Sequence, residues 1–337
     1  MEANVVYLVT LTTSATNDNA VIMKKTTRRQ FISRSALAVG GALGLAQLPA
    51  LLTAQGQAAT RSPMTPGSPA LPGAAGGASP IGPADLKDIP LGFQTFPIRD
   101  RLGKDFSGTL KTMAGFGYRL VELCSPAGYA DIGFGFLKDK PAAEIRGIIT
   151  DAGLSCPSCH FGFGELAPDK IDKTIEFARA MGLSQMICST FWLPKGSTLK
   201  DYTDSAEKLN KAAGKIKAAG MQTGFHNHEF EFATLDGSLI YDALMRTFDP
   251  ALVKMQFQTE VINLGYKAST YFEKYPGRYI SAHLSDWTAE KKEVPLGKGV
   301  IDWKGFFAAA RTGGVQNFFV EMNWDTFEES AKYIHSL

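Results

Sequence analysis

Residues 206–228 read AEKLNKAAGKIKAAGMQTGFHNH, and this stretch contains the unit from which the fold is built. Ala206, Leu209, Ala213 and Ile216 recur at helical spacing, while Lys208, Lys211, Lys215 and Lys217 lie mainly off that face. Such a stripe predicts an amphipathic helix laid against a sheet. Gly220 then stops it, because glycine just past a helix accepts the left-handed conformation that ends the hydrogen-bond ladder. Gln222–His228 follows as a short strand that closes on two histidines.

The same order of helix, glycine and strand recurs along the chain. Gly117, Gly153, Gly182 and Gly314 each stand immediately before an apolar run. Strands are expected at Leu91–Phe96, Leu120–Cys124, Ser155–Phe161, Gln185–Thr190, Gln222–His228, Val253–Gln258, Ile280–Leu284 and Phe318–Met322. Eight β/α units over about 250 residues predict an α/β chain folded as a (β/α)8 TIM barrel. An open doubly wound sheet would show a glycine-rich phosphate loop after its first strand, and no G-x-G-x-x-G follows Leu91–Phe96.

The barrel occupies residues 86–337, and what precedes it reads differently. Thr26-Thr27-Arg28-Arg29-Gln30-Phe31-Ile32, then an Ala/Gly/Leu-rich run to about Leu52 and small residues at Gly56-Gln57-Ala58-Ala59, follow the order of a twin-arginine signal peptide over 23–59. The apolar run is short, diluted by glycine and interrupted by Pro49, so it is not expected to remain as a membrane span. Residues 1–22 precede the natural start of such a signal and are expected to be an upstream extension, with Met23 as the initiator. Residues 60–85, rich in Pro, Gly, Ala and Ser, bury too little apolar area to offset their ordering and form a linker. The expected location is periplasmic, or otherwise exported.

Charge narrows the partners. The formal net charge is +2, but residues 1–61 hold six Lys/Arg against Glu2 and Asp18, leaving 29 basic and 31 acidic residues in the remainder. A mature part near −2 without a basic aromatic stripe gives no electrostatic reason for nucleic acid or an anionic membrane as partner. A small neutral or polar ligand fits better, and homo-oligomerisation is left open. Cys156-Pro157-Ser158-Cys159-His160 has the C-x-x-C-H form of a haem attachment site. It lies within an expected strand, where positions three apart face opposite ways and cannot grip one porphyrin. The four cysteines are read as small core residues.

Four of the five histidines (His160, His226, His228, His283) fall at or near C-terminal strand ends, as do Glu122, Gln258 and Glu321. In a parallel barrel that rim carries the chemistry. Strand alternation puts His226 and His228 on one side, where they can share a metal or a substrate hydroxyl. Imidazole with carboxylate suits one divalent ion of Mn, Zn, Fe or Co better than Mg or Ca. Trp192 and Trp287, after the fourth and seventh strands, are the aromatics expected to stack on a sugar face.

The runs Gly224-Phe225-His226-Asn227-His228-Glu229-Phe230-Glu231-Phe232, Tyr275-Pro276-Gly277-Arg278, His283-Leu284-Ser285-Asp286, Gly297-Lys298-Gly299-Val300-Ile301-Asp302-Trp303 and Phe319-Val320-Glu321 add a more specific signal. Together, and in this order, they resemble the xylose isomerase-like sugar phosphate isomerase/epimerase superfamily. The resemblance implies metal ligands at His226, Gln258, His283 and Glu321, with Glu122 and His160 facing the substrate as catalytic groups. Arg278, His228 and Asp286 would be substrate contacts. Gln258 departs from the family, which usually has aspartate there; a neutral amide is a weaker ligand, and Glu260, of the same strand parity, is the alternative. The implied chemistry is isomerisation or epimerisation with Glu321 as base. Export favours a non-phosphorylated sugar or keto-sugar, and Gly297-Lys298-Gly299 is read as a loop rather than a phosphate cradle. The competing readings are a lyase or dehydratase acting on an oxidised sugar or glycoside, and a carbohydrate-binding barrel without catalysis.

Overall fold

A computed structural model describes residues 90–337 and two three-residue strands, Val5–Tyr7 and Lys25–Thr27, which pair antiparallel. The signal peptide, the start at Met23 and the linker otherwise lie outside the described residues. Eight strands form the barrel: β1 (Leu91–Gln94), β2 (Leu120–Cys124), β3 (Ser155–Phe161), β4 (Gln185–Cys188), β5 (Gln222–His226), β6 (Val253–Gln258), β7 (Tyr279–Leu284) and β8 (Asn317–Val320). Each pairs in parallel with the next, and β8 pairs with β1, so the sheet closes. This is the expected (β/α)8 TIM barrel.

The helices between them are α1 (Arg99–Lys104), α2 (Phe106–Gly115), α3 (Ala142–Asp151), α4 (Ile171–Met181), α5 (Leu199–Ala218), α6 (Ile240–Thr247), α7 (Ala268–Lys274), α8 (Trp303–Gly313) and α9 (Phe327–His335). Helix α5 buries Ala206, Leu209, Ala213 and Ile216, the stripe read from the sequence. It begins about two turns before that stripe, because Thr198 and Asp201 form a reciprocal capping box that satisfies donors of the first turn. Gly220, with φ of 86°, takes the left-handed position behind it. The first and last elements lock together where rings of Phe93, Tyr118 and Phe327 pack edge to face and Tyr118 Oη donates to Phe327 O at 2.9 Å.

Several strands stop short of their expected C-terminal ends. Pairing of β5 ends at His226 and of β8 at Val320, so His228 and Glu321 stand just beyond the sheet. At β5 the cause is local: the Glu231 carboxylate accepts the His228 N–H at 2.7 Å and turns the chain into a 3-10 helix, Glu229–Phe232. Cys124, Cys156, Cys159 and Cys188 are free and buried, as core residues should be. Among the described residues, no helix is long and apolar enough to cross a membrane.

Candidate active site

Pleating and register gather the functional side chains inside the C-terminal mouth. Gln258 lies beside His283 in the β6–β7 pairing, and Gln256 beside His226 in the β5–β6 pairing. His160, His226 and His283 each offer a ring nitrogen, and these atoms all lie within 4.8 Å of one another. All three imidazoles are buried.

Beneath the rings is Glu122, with no exposed surface. Its Oε1 accepts from Ser158 Oγ at 2.5 Å and Gln256 Nε2 at 2.8 Å, while Oε2 faces His160 Nε2 at 3.1 Å and His283 Nε2 closer still. Four protein groups thus occupy the carboxylate. The expectation that Glu122 faces the substrate is corrected: it anchors the imidazoles from below, because strand β2 presents it one layer deeper than the rim. Gln256 completes this floor, its Oε1 2.6 Å from His160 Nε2 and its Nε2 donating also to Ser281 Oγ at 2.9 Å.

These contacts decide the protonation states. His160 Nε2 faces two acceptors and must carry hydrogen, which makes Nδ1 its lone-pair nitrogen when neutral. His283 has Glu122 at Nε2 and Glu321 Oε2 at 3.0 Å from Nδ1. Burial disfavours its charge, but the two carboxylates prevail and hold it up at about 9. In return, and against their own burial, Glu122 is held far below the usual carboxylate range and Glu321 at about 2. His226 behaves in the opposite way: burial, then its three histidine neighbours, push it well down, so it is neutral. Its Nδ1 is buried with no hydrogen-bond partner.

A buried imidazole nitrogen without a partner, beside two more imidazoles, fits a divalent metal ion. His160, His226 and His283 would hold it, His283 only after shedding one of the two protons that its carboxylate neighbours sustain, with Glu321 adjacent. Gln258, expected among the ligands, instead donates through Nε2 to Glu321 Oε2 at 2.5 Å and accepts Glu260 N–H at 3.5 Å, so it orients the carboxylate. Glu321 keeps 17% side-chain exposure against none for Glu122, and it is the carboxylate that reaches the mouth.

The outer groups divide. His228 joins the cluster, its ring 4.7 Å from that of His226. Trp192 stands exposed near His228, with ring centroids 6.3 Å apart. Arg278 does not belong here: it precedes Tyr279, at the opposite end of β7 from His283, and donates to Met245 O and Phe248 O. Trp287 is buried, with Nε1 donating to Ser285 Oγ at 3.1 Å, and offers no open face. Asp286 is buried and accepts from Gly297 N, Gly299 N, Ile301 N, Trp287 N and Trp303 Nε1; it folds the loop after β7 and has no capacity left for a sugar. That also confirms Gly297-Lys298-Gly299 as a loop, its N–H groups already bound. Ser158, Gln256 and Ser281 were not foreseen, although they share strand parity with His160, Gln258 and His283.

Glu231, which caps the turn carrying His228, is itself buried, and burial raises its carboxyl to about 8 although His228 N and Thr190 Oγ1 donate to it. The same group titrates near 4.5 when exposed, so the folded state binds the extra proton between these values. Its contribution to stability is therefore full below pH 4.5 and is lost as pH rises through about 8. Glu231→Gln should flatten this decline, which for one proton has a slope of up to ~1.4 kcal/mol per pH unit. Urea unfolding of both proteins from pH 5 to 8.5 checks it; parallel profiles would refute a buried acid.

The family model for xylose isomerase-like TIM barrels matches residues 110–337. Among solved structures, a sugar phosphate isomerase/epimerase from Parabacteroides distasonis is 23% identical with a TM-score of 0.62, over 73% of this chain and 93% of that one. A probable 3-DHS dehydratase of petrobactin synthesis from Bacillus anthracis is 10% identical with a TM-score of 0.55, over 73% and 98%. A xylose isomerase-like TIM barrel protein from Mycobacterium smegmatis, in complex with magnesium, is 14% identical with a TM-score of 0.56, over 75% and 97%. At these identities the likenesses establish the fold. No curated protein matches the chain.

Proposed function

The chain belongs to the xylose isomerase-like TIM barrel family, and from that premise we propose that it is a metal-dependent isomerase or epimerase of a free sugar or keto-sugar. The observation that carries this reading is the cluster of three imidazole nitrogens within 4.8 Å, bracketed by one deep carboxylate and one that reaches the mouth. Imidazole donors favour Zn, Fe, Co or Mn. Such an ion, if held by His160, His226 and His283, would polarise a carbonyl and the hydroxyl on the adjacent carbon and so acidify that carbon's C–H.

The protein's own groups then manage the proton. Glu321 is the base, aimed by Gln258 Nε2 and His283 Nδ1. While His283 is protonated, Glu321 is held at about 2 and is a poor base; a neutral His283 releases it. His228, beside His226 at the rim, is placed to bind a substrate hydroxyl or return a proton. Glu122 holds His160 and His283 in orientation from beneath.

Elemental analysis of natively produced protein, with turnover of free and 3-keto sugars by wild type and Glu321→Gln, tests the reading. About one metal ion per chain, a stereoisomeric product and a ~10²–10⁴-fold loss of turnover in the variant are expected. Unchanged turnover would remove Glu321 as base, and an unsaturated or dehydrated product would replace epimerisation by elimination. The Arg28-Arg29 motif supports export by the twin-arginine route and, with it, a non-phosphorylated substrate. Fractionation of cells expressing an Arg28→Lys/Arg29→Lys double variant should find the product retained inside; normal export would refute that route.

A further inference from the structure

The large apolar side chains exposed among the described residues are Trp192, Phe230, Leu264 and Val300. All four stand on loops that follow β4, β5, β6 and β7, on the face where the histidines emerge. Two of them are tied to the site by ring contacts. Phe230 stacks on His228 at 5.2 Å and 5° between planes, and Trp192 lies 6.3 Å from the same ring. His228 meets His226 at 4.7 Å, and His226 meets His283 at 4.4 Å. A row of rings therefore runs without interruption from the buried imidazoles out to solvent.

Trp192 is also held in its outward position at a cost. Its φ of 51° is left-handed, a conformation that bulky side chains avoid and that persists where the surroundings impose it. The preceding residue, Phe191, is buried against Phe163 at 4.8 Å and Phe225 at 4.7 Å. The chain turns sharply between an anchored ring and an indole that remains 64% exposed. Neither packing nor solubility calls for an indole there.

We infer that Trp192 and Phe230 form a subsite for a second ring. The substrate is then a two-ring keto-glycoside, whose carbonyl-bearing sugar occupies the histidine cluster and whose neighbouring ring lies flat against these aromatics. This rests on the sugar reading of the cluster. A pyranose and an aryl group share the required chemistry, a flat apolar face of about one ring's width, and neither needs a charged partner.

Calorimetric titration of the full chain with glucose, methyl β-glucoside, cellobiose and phenyl β-glucoside tests it, using wild type, Trp192→Ala and Trp192→Phe. The two-ring ligands should bind about 10-fold tighter than the one-ring ligands. Trp192→Ala should erase that advantage while leaving one-ring affinity unchanged, and Trp192→Phe should keep most of it. Whether cellobiose or the phenyl glucoside gains more tells a sugar from an aryl second ring. Equal affinity for one and two rings, or an equal loss for both in Trp192→Ala, overturns the subsite while the sugar reading stands. Failure of every ligand to bind overturns both. Trp192 lies outside the core, and circular dichroism of each variant verifies the fold.

Discussion

Glu122→Ala should lose about 3–5 kcal/mol of folding stability near pH 6 in chelator-treated protein, the range measured when one partner of a buried ion pair is removed. The variant leaves Ser158 Oγ, Gln256 Nε2 and the Nε2 groups of His160 and His283 facing a dry void, and His283 loses one of the carboxylates that sustain its charge. His283 has its folded value raised to about 9 from 6.5, so its contribution is complete below 6.5 and disappears as pH climbs through 9. Glu122, depressed from 4.5, contributes above that value and loses its contribution in acid. The gap between wild type and variant should therefore be widest between about pH 4.5 and 6.5 and narrow on either side. Glu122→Gln, which keeps the volume and one acceptor, should lose less. Denaturant unfolding across this range measures the gap; a pH-independent difference would mean that cavity formation, not charge, dominates.

The barrel was legible because its signals are local. A helical stripe, a glycine in the left-handed position and a short strand repeat within each unit, and strand ends gather on one rim whatever the tertiary detail. The histidines followed from that rule alone. Depth within the barrel was read too coarsely: Glu122 stands two residues before the end of its strand, whereas Glu321 follows the last paired residue of β8, and that difference sets one beneath the rings and the other at the mouth. Arg278 was misplaced although the sequence already set it before the strand expected at Ile280–Leu284, and so at the end away from the rim. Gln256, Ser158 and Ser281 went unnoticed although parity pointed to them, since a lone polar residue in an apolar strand carries no sign of its partners.

Asp286 shows the same limit and supports the second large expectation. Beside His283-Leu284-Ser285 it looks like a substrate ligand; in the fold its Oδ2 accepts Gly297 N at 2.9 Å, Gly299 N at 3.1 Å and Trp303 Nε1 at 2.9 Å, while Oδ1 accepts Trp287 N at 3.0 Å and Ile301 N at 3.3 Å. Glycine is required at 299, where a Cβ would come within 2.1 Å of Asp286 Oδ1 and 2.5 Å of Trp287 O. Asp286→Ala would strand these donors in a buried loop, at about 1–3 kcal/mol for each left without water. Relaxation and water entry recover part of that, which leaves an expected loss of about 3–5 kcal/mol. Asp286→Asn should be nearly as damaging, because an amide turns its two hydrogens toward N–H groups and accepts on one atom only. The loop also carries Glu293, whose Oε1 accepts Asn323 N at 2.7 Å and so fastens the segment that follows Glu321. Loss of turnover should accompany loss of stability, with proteolytic nicking at the exposed Lys291-Lys292 tip. An Asp286→Ala protein as stable and as resistant as wild type would show that the loop is held by its apolar contacts, and Asp286 would return to the list of groups open to a substrate.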